Sequence, residues 1–240
     1  MKIKKSAFTL AEVIMVLGII GVVSAMVLPT MLGHWEKKAL ETQTKHFYSM
    51  MTLAIHNYMA DNRVDDLTDS PMYCEAFESP NCERARQEMD SFFTKYLKVA
   101  RRCHEKPIDL GSNKNNKCQS FEAKVIDKSS PNHGEWWMDY ILMHGYAIRV
   151  NRLPNFSNPF NIIVDINGNK GPNRGGRDIW SLNIYYDGTI NGAKLGPECM
   201  NDSSCAKNNV NAEFYTKCLT SYGGAGCFGR FKDRGFKFDY

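Results

Sequence analysis

A chain of 240 residues can hold one sizeable globular domain plus a membrane segment, or at most two small domains. The formal charge of +4 owes three of its lysines, Lys2, Lys4 and Lys5, to a stretch ahead of an apolar run, so nothing global argues for a polyanionic partner. The eight cysteines, Cys74, Cys82, Cys103, Cys118, Cys199, Cys205, Cys218 and Cys227, all lie downstream of that run, with no CxxC pair and no HxxxH spacing. An even set of this kind points to disulfides in an oxidising compartment, and gives structural zinc little support. The sequence leaves connectivity open, but neighbour pairing would close four short loops: Cys74 with Cys82, Cys103 with Cys118, Cys199 with Cys205 and Cys218 with Cys227.

The apolar run begins FTLAEVIMVLGIIGVVSAMVLP at Phe8. From Val13 to Leu32 it supplies about the 20 residues that cross a bilayer, with Gly18, Gly21, Ser24 and Pro29 as its weak helical points. Lysines ahead of the run fit a cytoplasmic N-terminus and an exported remainder. Glu12 is the anomaly, because a charge inside hydrocarbon costs roughly 2.5 to 3.5 kcal/mol at the middle of an inserted helix and less near its end. A secretory signal cut after Val23-Ser24-Ala25 does not need that charge, and a lipoprotein signal would need a cysteine that the stretch lacks. A cut ahead of the run would retain the hydrophobic helix and give Glu12 a purpose.

Lys4-Lys5-Ser6-Ala7-Phe8-Thr9-Leu10-Ala11-Glu12-Val13, followed by the apolar helix with Pro29, resembles the prepilin signature of type IV pilins and type II secretion pseudopilins. The resemblance covers roughly the first 60 residues, and Ala7 stands where the family usually has glycine. It implies cleavage between Ala7 and Phe8 by a prepilin peptidase, N-methylation of Phe8, and a filament-assembly role for Glu12, whose carboxylate would neutralise the N-terminal amine of a neighbouring subunit. It also implies partners: other pilin or pseudopilin subunits, the membrane, and an inner-membrane assembly platform driven by a separate ATPase. A pair of charges in a low-dielectric environment leaves a stranded charge when one partner is removed. The cost of Glu12 is therefore expected to be offset only in the assembled filament. The corresponding division is a leader at 1–7, a transmembrane and assembly segment at 8–33, and an exported head at 34–240, which ends in the periplasm or at the cell surface.

Beyond Pro29, Trp35, Ala39, Leu40, Phe47, Met50, Met51, Ala54, Ile55 and Tyr58 recur at three- and four-residue steps between charged positions. The spacing predicts one helix from near Phe8 to near Ala60, about 80 Å long at 1.5 Å per residue, greasy all round in its first half and one-sided in its second. Polar and turn residues dominate from Asp61 to Pro80. A second amphipathic helix is expected over Glu83–Arg102, with Ala85, Met89, Phe92, Phe93, Tyr96, Leu97 and Ala100 inward. Lys114 to Lys117 reads as an exposed loop.

From Trp136 onward the pattern changes to strands. Trp137 to Met143 and Tyr146 to Asn151 flank His144-Gly145, Phe160 to Ile166 is rich in branched residues, and Ile179 to Tyr186 leads through the hairpin signal Asp187-Gly188 into Thr189-Ile190. The expected fold is α+β: a long N-terminal helix packed by its second half on a C-terminal antiparallel sheet, as in a pilin-like subunit.

Asp165-Ile166-Asn167-Gly168-Asn169-Lys170-Gly171-Pro172-Asn173, closing at Asp178, places alternate oxygen side chains as the start of an EF-hand loop does, but Lys170 and Gly176 stand where that loop needs its glycine and its glutamate. Some major pseudopilins hold calcium in a loop near the C-terminal sheet, so the resemblance makes Asp165, Asn167, Asn169 and Asp178 a calcium candidate. The alternative is a plain turn whose Asx side chains bond their own backbone. No other cofactor is expected. Gly224 to Gly229 fits GxGxxG, but with no evident helix after it a nucleotide role is not expected. Arg230, Lys232, Arg234 and Lys237 interleave with aromatics; single-stranded nucleic acid could use such a pattern, yet an edge strand with one buried face is the expected reading. His104, His133 and His144 have no partners at catalytic spacing, and no GxSxG, HExxH or P-loop is present. The expectation is a structural filament subunit and not an enzyme; the alternative is a binding or enzymatic ectodomain tethered by a signal anchor.

Overall fold

The computed structural model describes residues 9–74, 82–103, 138–152, 160–168, 170–171, 173–192, 218 and 226–239. Helix α1 spans Leu10–Asn62 and runs through Pro29, as the apolar periodicity predicts. Two compact units divide the chain, Met1–Ala39 and Leu40–Tyr240, so α1 contributes its apolar first half to one and its amphipathic second half to the other. In the first unit every described residue is exposed except Ser24, which is half-buried.

In the second unit α1 is one-sided. Leu40, Thr44, Phe47, Met51, Ala54, Ile55, Tyr58 and Met59 are buried, and the spacing of three and four residues is why one face serves as core. Thr44 removes its hydroxyl from the apolar environment by donating to the Leu40 carbonyl at 2.8 Å. Helix α2, Glu83–Tyr96, buries Ala85, Arg86, Met89, Phe92 and Phe93. Phe92 meets Tyr58 of α1 edge-on, with centroids 5.5 Å apart, and such geometry adds about 0.5–1.5 kcal/mol to the burial itself.

The sheet is a six-stranded antiparallel meander in sequence order: β1 Val99–Arg102, β2 Met138–Leu142, β3 Ala147–Arg152, β4 Phe160–Asp165, β5 Ile179–Ile184 and β6 Ile190–Asn191. Register aligns Tyr140 with Ile148, Ile148 with Val164, and Val164 with Trp180, one row of buried side chains across four strands. Phe93 stacks on Tyr140 at 4.6 Å, which ties α2 to that row. The neighbouring row carries Asp139 opposite Arg149, joined by a buried two-pronged ion pair at 2.8 and 2.7 Å. Gly145, at φ +85°, and Gly188, at φ +79°, make the two hairpin turns expected at His144-Gly145 and Asp187-Gly188. The architecture is therefore α+β, with a long N-terminal helix and a C-terminal antiparallel sheet, consistent with a pilin-like fold.

Two expectations need correction. The second helix does not reach Arg102: it ends at Tyr96, Lys98 takes a left-handed φ of +51°, and Val99–Arg102 becomes strand β1 on the sheet edge, leaving Ala100 exposed. Strand pairing with β2 outweighs local helical pattern there. The basic and aromatic C-terminal stretch is not an edge strand but helix α3, Cys227–Asp233, which also places a helix inside the GxGxxG match. Phe228 and Phe231, three apart, both face Trp180, and Phe231 stacks on it at 4.6 Å. The glycines serve that packing: Gly226 adopts φ +78° ahead of α3, and a Cβ on Gly192 would lie 2.7 Å from the Gly229 nitrogen.

The buried Asp139–Arg149 pair sets a test of the sheet. Asp139→Ala should cost about 3–5 kcal/mol by taking the carboxylate away from a buried guanidinium, whereas replacing both partners with apolar residues should recover most of that loss. Denaturant unfolding of the single and double variants measures the difference.

Candidate functional site

Of the residues implied in processing and assembly, Glu12 lies among the described residues, while Ala7 and Phe8 lie outside them. Thr9 is the residue just before α1 and Glu12 the third within it. The Thr9 amide and hydroxyl donate to Glu12 Oε2 at 2.9 and 2.8 Å, and the Glu12 amide donates back to Thr9 Oγ1 at 3.3 Å. This is a capping box: the first amides of a helix have no partner within it, and the Thr-x-x-Glu pair supplies two of them reciprocally. A carboxylate at the first turn is also favoured by the positive end of the helix dipole. A single chain already gives the Glu12 carboxylate two hydrogen-bond donors, a local contribution beside the offset expected from a neighbouring subunit. The signal was in the sequence, since Thr9-Leu10-Ala11-Glu12 is the pattern itself.

Past this cap, Leu10, Val13, Ile14, Met15, Val16, Leu17, Ile19, Ile20, Val22, Val23, Met26, Val27, Leu28, Met31 and Leu32 are all exposed. By length and composition this half of α1 can cross a membrane. A Cβ at Gly18, Gly21 or Gly33 would meet nothing within 4 Å, so these glycines leave open, shallow points on the helix surface.

The second candidate is the loop from β4 to β5. Asp165, the last residue of β4, and Asp178, just ahead of β5, are fully buried. Asp178 accepts from the Asn173 amide at 2.7 Å, the Arg174 amide at 2.6 Å and Asn167 Nδ2 at 3.2 Å. Asp165 accepts from the Asn167 amide at 3.1 Å through Oδ1. Burial, with the Asp178 charge adding to it, pushes the Asp165 carboxyl up to about 7 against the opposing pull of the Asn167 amide. Asp165 Oδ2, Asn167 Oδ1 and Asn173 Oδ1 are buried with no hydrogen-bond partner among the described residues.

Of the four residues of the calcium candidate, Asp165, Asn167 and Asp178 lie within this one loop region. Asn169 lies outside the described residues, and the Asp178 carboxylate accepts from loop N–H groups, including the Asn173 amide. The Asx turn expected as the alternative is present in the bond from the Asn167 amide to Asp165. Among the described residues no group of three or more His, Cys, Asp or Glu is arranged for a metal.

Cys74 pairs with Cys82, and Cys218 with Cys227, as neighbour pairing anticipates. Cys103 is also disulfide-bonded, while Cys118, Cys199 and Cys205 lie outside the described residues, as do His104, His133 and the Lys114–Lys117 loop. The Cys218–Cys227 bridge backs the β4–β5 loop closely, for a Cβ on Gly176 would fall 2.5 Å from Cys227 Sγ. His144 gains neighbours that its sequence position hides: its ring lies 5.4 Å from that of His46, whose Nδ1 is 2.9 Å from the Tyr146 hydroxyl.

The capping box predicts a local effect. Thr9→Val keeps side-chain shape but removes the hydroxyl, and should speed amide exchange at Glu12 about fivefold in the detergent-embedded chain, the equivalent of about 1 kcal/mol. Exchange within Leu40–Asn62 should not change. An unaltered rate at Glu12 would show that the box does not hold the helix start.

No family model matches this sequence, and no curated protein or solved structure is found to be similar to it.

Proposed function

We propose that this chain is a prepilin-processed structural subunit of a type IV pilus or type II secretion pseudopilus, which polymerises through its N-terminal hydrophobic helix. One observation carries the reading: an apolar helical half, exposed all round, begins with a carboxylate and continues into the core helix of an α+β head. Exposed apolar surface on this scale requires lipid or other protein to cover it. A membrane-held precursor whose helices later pack against one another meets that requirement at both stages. On this reading a prepilin peptidase cuts between Ala7 and Phe8, Phe8 is N-methylated, and the Glu12 carboxylate pairs with the N-terminal amine of the adjacent subunit. The assembly platform and its ATPase supply the work. The head, residues 34–240, is exported and stands outside the cytoplasmic membrane, and the chain itself performs no catalysis.

The capping box favours a second reading. Because Thr9 already supplies donors to Glu12, the carboxylate has a use in a lone signal anchor carrying a binding or enzymatic ectodomain. The two readings differ in whether the negative charge matters.

Glu12→Gln separates them. Glutamine at the third helical position also completes a capping box, so the helix start is kept while the charge is lost. The filament reading predicts normal membrane insertion with incorporation into sheared filaments reduced at least tenfold. Wild-type incorporation of the variant, or no filament fraction for the wild-type chain in its own host, would support the anchor instead.

A further inference from the structure

We propose that His46 of α1 and His144 of the β2–β3 turn form a two-imidazole site for a divalent transition-metal ion, zinc in the first place, at the surface of the Leu40–Tyr240 unit. Their ring centroids lie 5.4 Å apart, with the planes inclined at 57°. Two imidazoles that share a tetrahedral ion, each nitrogen about 2.0–2.1 Å from the metal, hold their centroids about 5 Å apart. Both residues are exposed, so an ion reaches them from solvent.

The two rings stand on rigid supports. His46 lies on α1 between the buried Thr44 and Phe47. The turn that carries His144 is pinned on both sides: the Leu142 amide donates to the Tyr146 carbonyl at 2.9 Å, the Gly145 amide to the Leu142 carbonyl at 2.9 Å, and the Met143 amide to the Lys98 carbonyl at 3.1 Å. Tyr146 lies against both histidines. Its ring stacks on that of His144 at 5.9 Å and takes the edge of Phe47 at 5.5 Å. The buried ring here is that of Tyr146, so packing alone does not require two solvent-facing histidines in contact.

The Tyr146 hydroxyl also sets which nitrogen of His46 is offered. It lies 2.9 Å from His46 Nδ1. When Nδ1–H donates to the phenolic oxygen, Nε2 carries the free lone pair, and an outer hydrogen bond of this kind is what orients a metal-bound imidazole. His144, exposed at the turn, can rotate its ring to present a nitrogen to the same ion. Imidazole selects zinc, copper and nickel over calcium and magnesium, which prefer oxygen. Among the described residues no cysteine is free to compete. Two protein ligands leave the other positions to water, so the site is open where a closed structural zinc site has four protein ligands. The inference stands apart from the filament reading, since it concerns residues of the Leu40–Tyr240 unit alone.

The test is calorimetric titration of ZnCl2 into the full chain in detergent micelles at a pH of about 7.5, where histidine is neutral, with MgCl2 titrated in parallel. Saturable zinc uptake is expected, weakened at least tenfold by His46→Ala and by His144→Ala and unchanged by His56→Ala, which alters another exposed histidine of α1. Tyr146→Phe keeps the ring contact with Phe47 and removes the hydroxyl, and should weaken zinc about tenfold with far-ultraviolet circular dichroism unaltered. No saturable zinc uptake, equal binding of magnesium, or zinc affinity unchanged in both histidine variants would each overturn the site. Unchanged affinity in Tyr146→Phe would overturn the positioning role of the hydroxyl.

Discussion

Apolar helix that its own chain leaves exposed is the constraint around which this protein is organised. From Leu10 to Leu32 the side chains present hydrocarbon in every direction. In water such a segment would drive aggregation, and in a bilayer it is at home. Its weakest point there is the first turn, whose amides have no helical partner, and an unpaired N–H in hydrocarbon costs several kcal/mol. The Thr9–Glu12 box meets that cost locally. Glu12 therefore has two separable properties, the oxygen lone pairs that cap its own helix and its negative charge.

The same helix changes character at Leu40, where one face becomes core. Sheet and α2 are assembled on that face. Phe47 meets Tyr146 near the β2–β3 turn, Tyr58 meets Phe92, and Gly188 brings the β5–β6 turn so near that a Cβ would lie 2.8 Å from the sulfur of Met59. A meander with two tight hairpins keeps most strand pairing local. Disulfides join Cys74 to Cys82 and Cys218 to Cys227, and the second bridge ties the start of α3, whose Phe228 meets Trp180, close to Gly176 of the β4–β5 loop. The β4–β5 loop is thus held by the hydrogen bonds of Asp178 and by its packing on a covalent crosslink.

Much of this is legible in the residues. The three-and-four spacing of Phe47, Met51, Ala54, Ile55 and Tyr58 predicts the buried face of α1, and Asp187-Gly188 predicts the last hairpin. What escapes sequence reading is decided by tertiary partners. Val99–Arg102 continues a helical pattern on paper and becomes a strand because β2 offers it a ladder and Lys98 can turn left-handed. Phe228 and Phe231 fit a strand or a helix equally until Trp180 selects the helix. In the β4–β5 loop, spacing picks out Asp165, Asn167 and Asp178, yet it does not show that Asp178 gathers the amides of Asn173 and Arg174. The roles depend on which backbone amides the loop turns toward Asp178, and no spacing rule encodes that. Thr9 is different, for its Thr-x-x-Glu pattern is readable but is overshadowed by the membrane cost of Glu12.

The central claim is that the hydrophobic helix is retained after processing ahead of it and becomes the assembly element. The most direct measurement is mass spectrometry of the N-terminal peptide of the protein recovered from its native host. A peptide beginning at Phe8 and carrying one methyl group on its amine is the result expected. A chain beginning at Met1, or at Met26 after cleavage behind Ala25, would contradict the account and leave the helix an anchor or a discarded signal.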